Sequence, residues 1–150
     1  MRKKNLAIGC VVALSIFGLL ATVALLEARA APNTTFVTTG SLGVFSDSAC
    51  TQSLSSVNWG PVSPGSSITQ TIYIKNLANY RQKLTLSTTN WNPTTLNGAI
   101  ALSWKTGRAR IEPGQTIPAT LTLTVSPNAS GFTAFSVDLQ ITGASVGHVI

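Results

Sequence analysis

With 150 residues, only 9% of them charged, and a formal net charge of +6, this chain has room for one domain and few ionisable groups from which to build a site. Beyond Ala30 the excess falls to +3: Lys75, Arg81, Lys83, Lys105, Arg108 and Arg110 against Asp47, Glu112 and Asp138. A nucleic-acid footprint concentrates Lys and Arg among aromatic residues on one face. These cations gather mainly in two turn regions instead, which argues for solvated loops and no nucleic-acid partner.

The N-terminus reads as a targeting segment. Met1-Arg-Lys-Lys-Asn5 is cationic, Leu6 to Leu26 is apolar apart from Ser15 and Thr22, and Glu27-Ala-Arg-Ala-Ala-Pro32 restores charge. Positive flank, apolar helix and small-residue exit are the grammar of a signal peptide or a signal-anchor, here residues 1–30. Ala28-Arg29-Ala30 offers a small-x-small site for cleavage after Ala30. The apolar run, residues 6–26, is also long enough to span a bilayer, which takes about 20 residues. Both readings stay open. In either, the cationic flank stays in the cytoplasm and the remainder is extracytoplasmic, secreted or membrane-anchored. Cys10 follows Gly9 but is no lipobox cysteine, because most of the apolar core comes after it.

From Ala31 on, hydroxyls replace charge: 19 Thr and 15 Ser. Residues 31–39 form a linker or first strand, and Thr35 to Thr39 and Leu42 to Phe45 are two weak β segments. Then the period becomes two. Ile68, Ile72 and Ile74 share one face, with Thr69, Thr71 and Tyr73 on the other. Leu84 and Leu86, then Ile100, Leu102 and Trp104, repeat the pattern. It is strictest in Ala119-Thr-Leu-Thr-Leu-Thr-Val125 and returns in Phe135-Ser-Val-Asp-Leu-Gln-Ile141. Such alternation predicts half-buried antiparallel strands, and no segment beyond the leader has helical spacing. Turn signals such as Pro64-Gly65, Asn92-Pro93, Asn97-Gly98, Pro113-Gly114 and Pro127-Asn128 separate the runs. Seven short strands so spaced predict an all-β fold, a single antiparallel sandwich over residues 40–143 with a short tail at 144–150.

The order of Trp59-Gly-Pro-Val-Ser-Pro64-Gly65, Tyr73-Ile-Lys-Asn76, Leu84-x-Leu86-Ser-x-x-Asn90-Trp91-x-Pro93, Ile111-x-Pro113-Gly114 and Leu121-x-Leu123-x-Val125 resembles the immunoglobulin-like domains of uncharacterised archaeal exported proteins. The resemblance covers roughly residues 40 to 143. It implies a fold and a place at the cell surface, and it transfers no catalytic residue.

Candidate sites are few. His148, the only histidine, lies near the C-terminus, where no predicted strand would hold the partners that a nucleophile system or zinc site needs. Asp47, Glu112 and Asp138 fall in three segments, too scattered for an acid/base pair or a calcium cage. No catalytic, cofactor-binding or metal residue is expected, and no cofactor. Trp59, Trp91 and Trp104 read as packing residues or as a sugar-stacking platform, with Trp104 on the apolar parity. Cys50 is the one thiol beyond the leader, so it is buried, reactive or paired with another chain. Asn33-Thr-Thr35 and Asn128-Ala-Ser130 are possible N-glycosylation sequons, both placed in loops. The expected function is a non-enzymatic surface module whose partner is a protein, a glycan or another copy. The alternatives are a pilus-like filament subunit assembling by strand exchange and a secreted enzyme; for the segment 34–45, folding back as the domain's own first strand is favoured over exchange with a neighbouring copy.

Overall fold

The computed structural model describes residues 32–130 and 134–147. The leader, the Ala30 cleavage position and His148 lie outside the described residues. None of the helices among those described is long and apolar enough to cross a membrane.

The described chain is all-β, in two sheets. Nine strands follow one another: β1 (Asn33–Thr39), β2 (Leu42–Phe45), β3 (Ser56–Asn58), β4 (Ser67–Asn76), β5 (Gln82–Asn92), β6 (Ile100–Thr106), β7 (Arg110–Ile111), β8 (Thr116–Val125) and β9 (Ser136–Ser145). A single 3-10 turn, Thr94–Leu96, joins β5 towards β6 after a cis Asn92–Pro93 bond. The sheets run β3-β1-β9-β5-β7 and β2-β4-β8-β6. Two strands exceed the seven expected. β3 and β7 are three and two residues long, too short to show a period.

One apolar core lies between the sheets. β8 supplies Ile117, Ala119, Leu121, Leu123 and Val125; β9 supplies Val137, Leu139 and Ile141; all are buried. Their period-two spacing turns these residues inward and the Thr, Ser, Asp and Gln between them outward. β8 and β9 are each flanked by strands on both sides, so they carry the cleanest alternation. β6 has one neighbour, and past Ile100 its Leu102 and Trp104 are only half-buried. Pro118 is tolerated in β8 because β6 pairs only with Ala119 to Val125, leaving that position without a neighbour on one side.

β5 breaks its own parity. Gln82 and Leu84 are buried and Leu86 and Thr88 half-buried, which would turn Trp91 outward. The register against β9 shifts between Thr89 and Asn92, and Asn90 takes a φ of 53°. This bulge carries the chain on by one residue, so that Trp91 enters the core beside Phe135, ring centroids 6.2 Å apart.

A polar cluster sits inside one end of the core. Asn76 and Gln82 have no exposed surface. The Asn76 amide donates to the carbonyls of Tyr80 (2.8 Å) and Ile111 (3.1 Å), while its oxygen accepts from Ala78 N and from Gln82 Nε2. Gln82 Nε2 also donates to Ser41 O. Two side chains thereby hold the β1–β2 bend, the β4–β5 turn and β7 together. Gly40 and Gly143 make room: a methyl group on Gly143 would run into Gln82 Oε1, and one on Gly40 would lie 2.6 Å from Gly143 O.

Candidate functional site

The three carboxylates beyond the leader each serve a local contact. Asp47 follows β2, and its carboxylate accepts from the Thr51 hydroxyl (2.7 Å), Thr51 N (3.0 Å) and Gln52 N (2.8 Å). The Thr51 hydroxyl and then the Gln52 N–H hold its carboxyl below the usual carboxylate range. Glu112 pairs with Arg81 at 2.6 Å on the surface. Asp138, in β9, accepts from Asn90 Nδ2 at 2.7 Å, which braces the β5 bulge. Among the described residues no three His, Cys, Asp or Glu come close enough to hold a metal ion.

The other candidates fall as follows. Trp59 and Trp91 are buried, 5% and 7% exposed, so their faces are not open for sugar stacking; Trp104 is half-buried against the core. Cys50 is half-buried, has a φ of 57°, and places its Sγ 3.4 Å from Thr116 Oγ1. Asn128 lies exposed in the turn after β8, as a sequon in a loop should. Asn33 does not: it opens β1, opposite Asn58 of β3 and Ser136 of β9. The sequence placed it in a loop because Pro32 precedes it and the strand's partners are remote. Arg81, Lys83, Arg108 and Arg110, four of the six cations beyond Ala30, line one open concavity beside β7, with Glu112 as their one carboxylate.

The feature with the most unusual geometry is the edge of β9. On one side β9 pairs with β5 antiparallel. On the other it pairs with β1 over seven residues, Asn33↔Ser136 to Thr39↔Thr142, and this ladder is parallel while every other pairing between strands is antiparallel. β1 meets the core mainly through Thr34, which is fully buried, and Phe36, which is partly so. Its start is clasped: Trp59 N donates to Pro32 O at 3.0 Å, and Trp59 Nε1 donates to Thr34 Oγ1 at 2.8 Å. Its far end leaves the sheet through Gly40 and Ser41 alone, with Gly40 at a φ of 85°, before β2 begins in the other sheet. Beyond β3 and the Phe36 N to Ser55 O bond, no strand among the described residues pairs with the outer side of Val37 to Thr39.

The sequence marked Thr35 to Thr39 of β1 as a β segment but left out Asn33 and Thr34 and gave the strand no partner. It missed Asn76 and Gln82 as structural residues, although the parity showed them: Asn76 is in phase with Ile72 and Ile74, and Gln82 with Leu84. No protein-family model matches this chain, and no curated protein matches it.

Proposed function

We propose that this protein is a non-enzymatic, extracytoplasmic module of immunoglobulin-like type, serving surface structure or surface interaction. The observation that carries the reading is the strand order. β2-β4-β8-β6 follows the A-B-E-D order of an immunoglobulin sheet, and β9-β5 follows F-C of the facing one; β7 pairs with β5 where a C′ strand would lie but comes after β6 in the chain, so it is not that strand. β1 lies beside β9, where such a domain has its last strand. The export grammar of residues 1–30 supplies the compartment, as secreted protein or as membrane-anchored one. The three carboxylates are each engaged in a separate local contact, which supports a role without chemistry.

The test is topology in intact cells expressing the full-length chain. The domain is expected to be reached by externally added protease or by a membrane-impermeant lysine reagent. Protection until the cells are broken would overturn the reading. The mass of the mature chain then separates cleavage after Ala30 from retention of residues 6–26 in the membrane.

A further inference from the structure

We propose that β1 is an exchangeable strand, and that the protein assembles with copies of itself as β1 of one chain fills the edge of β9 in the next. The proposal rests on the surface-module reading and adds the identity of the partner: a second copy of this chain.

Complementarity is already built. The edge of β9 accepts this strand in one register, so the same strand from another chain makes the same seven pairings. Such exchange of an identical element is a low-cost route to association, and it is open-ended when each chain donates to one neighbour and accepts from another.

The strand is also separable. No β1 side chain is among the large, fully buried residues, which come from β4 to β9. Between β1 and β2 stand only Gly40 and Ser41, and the bend is fixed just after the glycine: Ser41 O accepts from Leu77 N at 2.8 Å and from Gln82 Nε2 at 3.2 Å. A chain that opens at Gly40 therefore leaves β2 and the β4–β5 turn in place. Short hinges of this kind favour exchange, and longer ones favour closure onto the same chain. The segment that moves is β1 alone. β2, which the sequence-based alternative of exchange included in the moving segment, belongs to the other sheet, paired with β4 from Leu42↔Asn76 to Phe45↔Tyr73.

Order of synthesis points the same way. Asn33 pairs with Ser136, a separation of 136 − 33 = 103 residues. Pairing at such distance forms late, because loop closure precedes any gain from contact. During export β1 emerges first and its own β9 last, so β1 waits unpaired while finished copies nearby present a β9 edge whenever their own β1 opens. An unpaired strand edge is a template for another chain.

Cross-linking of the full-length chain tests this. In a Cys10→Ser, Cys50→Ser background, Val37→Cys and Gln140→Cys stand opposite each other in the β1–β9 register. Neighbouring strands lie about 4.8 Å apart, so the pair is within disulfide reach. Intact cells are oxidised with copper phenanthroline and the protein is run unreduced on a denaturing gel. A ladder from dimer upward is expected. Co-expressed chains carrying Val37→Cys alone and Gln140→Cys alone should give covalent dimers and nothing larger. Insertion of Gly-Ser-Gly-Ser between Gly40 and Ser41 should reduce the ladder at least tenfold in favour of internally linked monomer. Complete cross-linking within single chains, with no ladder, overturns the proposal, and so does a ladder that the insertion leaves unchanged. Protease access on the same cells reports on the surface module separately: a protected domain defeats that reading, while the cross-link pattern still decides exchange.

Discussion

Trp59 and Thr34 should behave as one unit. The indole N–H donates to the Thr34 hydroxyl at 2.8 Å, with Trp59 5% exposed and Thr34 fully buried, so water cannot replace either partner. Thr34→Val leaves the N–H buried without an acceptor, which costs about 1–3 kcal/mol. Trp59→Phe leaves the hydroxyl without its donor and shrinks a core side chain, adding a cavity cost of about 1–2 kcal/mol. In the double variant neither orphan remains, so its loss should fall about 1–2 kcal/mol short of the sum of the singles, within the range known for residues in contact. Urea unfolding of the full-length protein in detergent measures it. With a slope of about 2 kcal/mol per molar, the single variants move the midpoint down by roughly 0.5–2.5 M. If the two losses add to within about 0.5 kcal/mol, the bond does not couple β1 to the Trp59 segment and the clasp argument fails.

Other expectations follow from single contacts. Leu123→Ala should cost about 2–5 kcal/mol in the same assay, since Leu123 is fully buried. Its neighbour Thr122→Ala should cost under about 1 kcal/mol, and equal losses would mean that the faces of β8 are reversed. Gly143→Ala puts a methyl against Gln82 Oε1 and should cost about 1–3 kcal/mol; an unchanged midpoint would show that the polar cluster is looser than its contacts indicate. The depressed Asp47 carboxyl gives the 47–52 loop a stabilising contact that is complete above the ordinary carboxylate pKa and lost as pH falls through the lowered one. Thr51→Ala should raise that pKa towards its ordinary value, as read from the Asp47 side-chain carbon shift by NMR; no change would remove Thr51 as the main cause.

What the sequence showed depended on how many neighbours a strand has. β8 and β9 are paired on both sides and covered by a sheet, so each inward position selects an apolar residue and the period is plain. At the edges selection loosens: β6 keeps Leu102 and Trp104 half-buried, and β3 and β7 leave no pattern. Trp91 read as a packing residue from its type and not from its parity, because parity is counted along the chain, while the bulge at Asn90 resets the count in space. Asn76 and Gln82 are in phase with the apolar residues, yet a polar residue at an inward position has meaning only once its partners are known. Those partners, Ser41 O, Tyr80 O and Ile111 O, are backbone groups that no residue pattern marks. The pairing of β1 with β9 is hidden for a related reason, because parallel neighbours 103 residues apart share no turn whose residues would announce them.

That pairing also decides what mutations can reveal about assembly. A closed chain and an exchanged one contain the same β1–β9 ladder and the same Trp59–Thr34 bond, so weakening either contact lowers both states together and cancels in their difference. Two terms remain: the free energy of the bend at Gly40 and Ser41, which exists only in the closed form, and the entropy of bringing two chains together, which falls as local concentration rises. Tethering to a membrane or secretion into a crowded surface layer raises that concentration, and effective concentrations reach the millimolar range when partners are held close. The hinge is therefore the place where sequence controls the balance. Gly40, at a φ of 85°, is the residue on which closure depends. A residue with a side chain strains that φ, which only the closed bend needs, so Gly40→Ala should shift the population towards oligomers while substitutions within the ladder should not.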